Sequence, residues 1–171
     1  MNKIKKTVAV AVFASLSMAL FSNTASYGAT TLTAAQKQQL QYIVEEEKLA
    51  RDVYNYLAAN VTSQKFSNIA RSEQTHMDQI TAILKTYKIW NPTTNRAPGV
   101  FKNTELQKLY NDLVARGSAG TLQAFEVGKL IEVTDIDDLQ VMLKSTWPAD
   151  AKATLDLLLR GSQNHLAAFS R

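Results

Sequence analysis

Ser72-Glu73-Gln74-Thr75-His76-Met77 is the stretch on which the fold turns. Ile69, Met77, Ile80, Ile83 and Leu84 recur around it at helical spacing, which predicts an amphipathic helix. Residues three apart on a helix share a face, so Glu73 and His76 can present a carboxylate and an imidazole to one ion. The chain holds only 2 histidines. The other, His165, stands in Gly161-Ser162-Gln163-Asn164-His165-Leu166, a second helical pattern with Leu155, Leu158, Leu159 and Phe169. Acidic residues occupy two more helical segments: Glu47 before this pair, Glu132 and Asp135 between. Carboxylates in excess over imidazoles, spread over four helices, are the donor set of a di-iron or di-manganese site in a helical bundle.

Working outward, the sequence beyond residue 29 reads as helical throughout. Thr33 has the spacing of an N-cap, with Gln36 completing a capping box. A first helix runs from there to about Asn60, with Leu40, Ile43, Val44, Leu49, Val53, Tyr54 and Leu57 on its apolar face. Val61 to Lys65 is a short turn, and the second helix spans about Ser67 to Lys88. Asn91-Pro92, Ala97-Pro98 and Gly99 mark a long connection, within which Thr104 to Arg116 forms a short extra helix. Ser118 is placed to cap a third long helix, about Ala119 to Lys144, and Pro148 starts a fourth, about Ala149 to Phe169. Helix, turn, helix, long crossover, helix, turn, helix predicts an all-α fold: a four-helix bundle with one long crossover connection. Gly161, inside the last helix, leaves room for another group to approach.

Glu45-Glu46-Glu47 fans around the first helix, so one of the three points well inward. Glu47 lies about two turns from the apolar Tyr54 and is the inward candidate; Glu45 and Glu46 are expected at the surface, as are Glu126, Asp137 and Asp138. Thr134 and Asp135 are poor interior helix residues, and such a local conflict marks a functional site. The bland alternative is an acidic, solvated face, with Lys48 and Arg51 as partners of the glutamates.

Composition narrows the function classes. Residues 1–29 begin with a basic Asn2-Lys3-Ile4-Lys5-Lys6, continue in an apolar run from Thr7 to Phe21 and end in small polar residues. This layout predicts a cleaved signal peptide, its apolar part being short for a membrane span, with an uncleaved membrane anchor as the alternative. Without residues 1–29, Lys plus Arg falls from 19 to 16 against 15 Asp plus Glu, and the formal charge from +4 to +1. No basic stripe remains for nucleic acid. There is no cysteine, which excludes disulfides, thiolate zinc sites, iron–sulfur clusters and thiol catalysis.

With those segments in view, the chain resembles the ferritin-like superfamily and, within it, the rubrerythrin-type sites. Glu47-Lys48-Leu49-Ala50-Arg51-Asp52-Val53-Tyr54 is similar to their first-helix Glu-x-x-Ala-Arg-x-x-Tyr, and Ile69 to His76 to the second-helix segment ending in Glu-x-x-His. Residues 33–170 more closely resemble a bacterial and archaeal family of domains of unknown function, number 2202, through residues 45–54, 72–77, 131–139 and 161–166. The resemblance implies a metal-binding four-helix bundle with Glu47, Glu73, His76, Glu132, Asp135 and His165 as candidate ligands. It departs at Ser162, where a rubrerythrin-type fourth helix carries a glutamate that commonly bridges two metals; either Asp135 compensates or the site holds one metal tightly and another weakly.

The function expected is that of an exported, periplasmic or extracellular, metal-binding domain over residues 30–171. Iron, in a centre of one or two metals, is the expected cofactor, with manganese as the alternative. Its chemistry is oxygen- or peroxide-linked iron oxidation, ferroxidase- or peroxidase-like. Tyr54 is the candidate catalytic residue, hydrogen-bonded to a ligand carboxylate. Metal ions and oxygen or peroxide are the partners; nucleic acid and, after removal of residues 1–29, membrane are not, and a homo-oligomer is compatible. The alternative of another class is a structural or partner-binding helical bundle, its partner surface formed by Trp90, Phe101, Tyr110 and Trp147.

Overall fold

The structure, a computed structural model, describes residues 31–171; the expected signal peptide lies outside them. Among the described residues the chain is all-helical, with five helices and no strand: α1 Ala34–Asn60, α2 Gln64–Thr86, α3 Thr104–Gly117, α4 Thr121–Leu143 and α5 Ala149–Phe169. None of these helices is long and apolar enough to cross a membrane.

Local chemistry sets most of the boundaries. Thr33 accepts from the Gln36 amide while the Gln36 side chain accepts from the Thr33 amide, closing the expected capping box. Such a cap stabilises a helix start by about 1 kcal/mol. Two boundaries differ from the sequence reading. α2 starts earlier, at Gln64, because Ser63 caps it through the Lys65 amide. α4 starts later, at Thr121, because the Ser118 hydroxyl is engaged by the preceding helix, donating to Val114 O at 2.7 Å. The chain then turns at Gly120, whose φ of 147° favours a residue without Cβ.

Two helix pairs, α1 with α2 and α4 with α5, make the most extensive contacts; α2 also meets α5, and α3 leans on both α1 and α4, which touch each other least. The apolar interior is divided in two. One cluster takes Leu49, Val53, Tyr54 and Leu57 of α1 with Phe66 and Ile69 of α2, Val127 and Ile131 of α4, and Phe169 of α5. The other takes Leu40, Ile43 and Val44 of α1 with Ile80 and Leu84 of α2, Leu139 of α4, and Leu155 and Leu158 of α5. Between them, at the same level on all four long helices, lies a band of buried polar side chains: residues 45–48, 73 and 76, 132 and 135, 162 and 165. Unpaired, such groups cost several kcal/mol each on leaving water, roughly 2–7 for a neutral one, so the band needs a compensating interaction.

The connection from α2 to α3 packs against α1 through ionic contacts. Lys48, only 1% exposed, pairs with Asp52, donates to Ala97 O at 2.9 Å and sits 4.5 Å from the Phe101 ring centroid. Asp52 also accepts from the Gly99 amide and is paired with Arg51. Lys48 and Arg51 thus serve Asp52 rather than the glutamates. Glu45 is buried, contrary to expectation: its carboxylate accepts the amides of Lys102 and Asn103, just where α3 begins. Of the four aromatics considered for a partner surface, Phe101 and Trp147 are buried and Trp90 is exposed.

Candidate metal centre

Helical periodicity brings one or two donors from each long helix into the polar band. Glu47 comes from α1, Glu73 and His76 from α2, Glu132 from α4 and His165 from α5, and all five are buried. They form two triads that share one carboxylate. Glu47, Glu73 and His76 make the first, Glu73, Glu132 and His165 the second, and within each the donor atoms lie within 4.8 Å of one another. Glu73 divides its oxygens: Oε2 is 2.8 Å from His76 Nδ1 and Oε1 is 2.8 Å from His165 Nδ1. Glu47 Oε2 approaches His76 Nδ1 to 3.3 Å, and Glu132 Oε2 approaches His165 Nδ1 to 3.6 Å. The two imidazoles lie nearly parallel, with centroids 5.4 Å apart.

These short approaches are not all hydrogen bonds. His76 Nδ1, His165 Nδ1, Glu73 Oε1 and Glu47 Oε1 are buried and have no properly aligned partner. A buried donor or acceptor left unpaired costs about 1–3 kcal/mol. Atoms that crowd together without pointing along one another's N–H axes have the arrangement of ligands around a common cation. Carboxylate oxygens and imidazole nitrogens suit iron and manganese. The residues present therefore fit a metal centre, with Glu73 placed to serve two metal positions.

The surrounding side chains hold these donors in place. His165 Nε2 lies 3.0 Å from Ser72 Oγ, which leaves Nδ1 free for the centre. The Tyr54 hydroxyl donates to Glu132 Oε1 at 2.6 Å and reaches Gly128 O at 3.3 Å. It touches a candidate ligand rather than a metal position, so its geometry is that of a positioning residue. Gly161 gives His76 its space, as its place in the helix suggested: a Cβ there would lie 2.4 Å from both Cε1 and Nε2 of the ring. Asp135 stands outside both triads. Its Oδ2 receives the Ser162 hydroxyl and its Oδ1 has no partner.

The electrostatics without a cation are those of too many acids in a dry volume. Burial, with the charges of Glu73 and Glu132 adding and His76 opposing, raises Glu47 to about 8. Burial likewise raises Glu132 to about 8 against the pull of His165, and holds Asp135 well above the usual carboxylate range, with Glu47 adding. For Glu73 burial raises the pKa, but His165 and His76 outweigh it and the net shift is downward. Burial would lower both imidazoles; Glu47 and Glu73 instead hold His76 at about 10, and Glu132 and Glu73 hold His165 at about 10. Divalent cations would take over the role of those protons.

A family model described as an uncharacterized protein domain, DUF2202, matches residues 36–171, which include every candidate ligand. The chain belongs to the DUF2202 family. It is similar to the uncharacterized protein MJ0754 of Methanocaldococcus jannaschii, 42% identical over 140 residues, covering 82% of this chain and 76% of that protein. A crystal structure of hypothetical protein MJ0754 from Methanococcus jannaschii matches this DUF2202 chain with a TM-score of 0.80 at 41% identity, covering 85% of this chain and 83% of that one.

The sequence reading missed the buried roles of Glu45 and Glu46. Glu46 is 4% exposed, and Asp138, also expected at the surface, is half-buried beside it. Only the packing of α3 and α4 against α1 turns those positions inward. Glu126 and Asp137 stay in contact with solvent as expected, Glu126 pairing with Lys129 at 2.9 Å.

Proposed function

We propose that this chain is an exported ferritin-like protein whose centre binds two iron ions, or manganese in their place, and supports oxygen- or peroxide-linked iron oxidation. The sharing of Glu73 between two buried triads carries the reading, because one carboxylate with an imidazole at each oxygen is how a bundle builds a two-metal site. The ferritin-like topology is supported by the order of the two apolar clusters. Along α1 and α5 the cluster around Tyr54 comes last, and along α2 and α4 it comes first. α2 and α4 then run in the same direction, and the connection carrying α3 crosses the length of the bundle.

Iron bound at Glu47, Glu73, His76, Glu132 and His165 would supply one-electron chemistry towards oxygen or peroxide. The protein's own part is to orient and to exclude water. Each oxygen of Glu73 has an imidazole nitrogen 2.8 Å away, Tyr54 fixes the orientation of Glu132, Ser72 that of His165, and the two apolar clusters seal the band above and below. Asp135 and Ser162 together take the level at which a second bridging carboxylate would stand.

Metal analysis of protein loaded anaerobically with Fe(II) tests this. About two irons per chain are expected in the wild type, the stoichiometry of a carboxylate-bridged bundle site. Glu73→Ala should lose both and His76→Ala should lose iron while helicity is largely kept. Unchanged iron content in both variants would refute the assignment and leave a structural or partner-binding bundle.

A further inference from the structure

α4 differs from the other helices in carrying apolar side chains round its whole circumference; it is the most apolar of the five and the least amphipathic. Ala124, Val127, Ile131 and Leu139 face the interior. Outward stand Leu122, Val133 and Val141, at 69, 42 and 51% exposure, and among the described residues no other helix exposes more than one large hydrophobic side chain. A helix that is apolar on every side has a second surface to cover, because apolar groups left in water forgo the free energy of burial.

The outer face also carries its charges in a definite order. At about 100° per residue, Leu122, Glu126, Lys129, Asp137, Gln140 and Lys144 all fall within about 40° of Val133 round the axis. Val133 is the midpoint of this stripe: Lys129 stands as far before it as Asp137 stands after, and Glu126 as far before as Gln140 after. Laid antiparallel on a second copy about a two-fold axis through Val133, the helix sets Lys129 opposite Asp137 of the other copy and Glu126 opposite Gln140, with Lys144 one turn beyond. Valine then meets valine on the axis, and Leu122 meets the aliphatic stem of Lys144. Laid parallel in register, the same helix would set every charge against its like, which disfavours that arrangement. Lys129 is already held in the stripe: it pairs with Glu126 at 2.9 Å, and both side chains remain more than a third exposed.

We propose that the outer face of α4 is the contact surface of a homodimer, two copies of this chain meeting antiparallel about a two-fold axis at Val133. A two-fold contact uses the same patch on both subunits, so one self-complementary stripe supplies both sides. Glu132 and Asp135 are buried, turned away from this stripe, so the surface is separate from the candidate metal centre and forms whether or not metal binds. One helix laid on another buries less than the roughly 800 Å² per partner of a standard interface, so the dimer is weak and reversible.

Sedimentation equilibrium of the full chain, from about 1 to about 300 μM, tests it. Wild type should show a monomer–dimer equilibrium within that range. Lys129→Asp sets carboxylate against carboxylate across the axis, and Asp137→Lys sets ammonium against ammonium; each alone should weaken the dimer at least about tenfold. Mixed in equal amounts, the two variants face opposite charges again and should recover a dimer of wild-type affinity that contains one copy of each. Val133→Glu, which puts two carboxylates on the axis, should remove the dimer. All three positions contact solvent, and circular dichroism should show wild-type helicity in each variant. A wild type that stays monomeric to the top of the range, a dimer indifferent to the charge reversals, or single variants that fail to recover on mixing would overturn the proposal.

Discussion

The imidazole of His76 fills the space that a side chain at Gly161 would need. A Cβ on α5 at that position would lie 2.4 Å from Cε1 and Nε2 of a ring carried by α2. The absence of a side chain on one helix thus sets where the His76 imidazole on another can sit, and ties the sequence of α5 to the geometry of the first triad.

Gly161→Ala tests that tie. The ring must move or α5 must shift, and overpacking of this kind costs about 1–3 kcal/mol. We expect a lower melting temperature in the metal-free state and weaker metal binding at the Glu47–Glu73–His76 triad, with the triad of His165 less affected. Calorimetric metal titration beside thermal melts would show it; unaltered metal affinity would mean that the ring relaxes freely.

Tyr54→Phe removes one hydroxyl and leaves the ring, which packs 5.3 Å from Phe169. Glu132 then loses the donor at its Oε1. Partners that orient metal ligands typically contribute about 10–100-fold in metal affinity. The expected result is a drop of that size confined to the His165 side, with little change in helicity. An equal loss at both triads would show that Tyr54 acts by something other than orienting Glu132.

Metal-free protein should be more stable at pH 5.5 than at pH 9. Glu47 and Glu132 sit at about 8 when folded against an ordinary 4.5, and His76 and His165 at about 10 against 6.5. Raised folded values mean that the folded chain holds more protons than the unfolded chain between those limits. Their contribution is therefore full below the unfolded values and lost as pH rises through about 8 and then 10. Glu73, shifted down, acts in the opposite sense and is outnumbered. Bound metal needs deprotonated ligands, so the extra stability it confers should grow with pH. Melting temperatures across this range, with chelator and with Mn(II), check both slopes; a metal-free melting temperature that rises with pH would contradict the first.

Glu45→Ala separates a structural acid from the donors beside it. Its carboxylate holds two backbone amides at the start of α3. Leaving them unpaired should cost about 1–3 kcal/mol. The melting temperature should fall while metal stoichiometry stays at the wild-type value. Loss of metal together with stability would indicate that the α3 connection is needed to assemble the centre.

What could be read in the chain before it was folded was whatever local repetition encodes. Thr33 with Gln36 announced a helix start; the apolar stripe through Leu40, Val53 and Leu57 announced a buried face; Glu73 and His76, a turn apart, announced a shared direction. These hold because helix geometry fixes the relation of near neighbours. The placement of Glu45 and Glu46 was not legible, since burial on the outer sides of α1 depends on α3 and α4 arriving there from far along the chain. Asp135 shows the same limit: that its Oδ2 takes the hydroxyl of Ser162 on α5 depends on how α4 and α5 pack, not on its spacing from Glu132.

By itself the sequence determined the helices, the apolar stripes along them, and the shared direction of Glu73 and His76, because each follows from a period of about 3.6 residues. Tertiary packing alone decided that Glu73 would be shared between two imidazoles, that Gly161 would make room for one of them, and that Glu46 would be shut in beside Asp138. Those are relations between residues on different helices, and they depend on how the helices cross rather than on where each residue falls along its own.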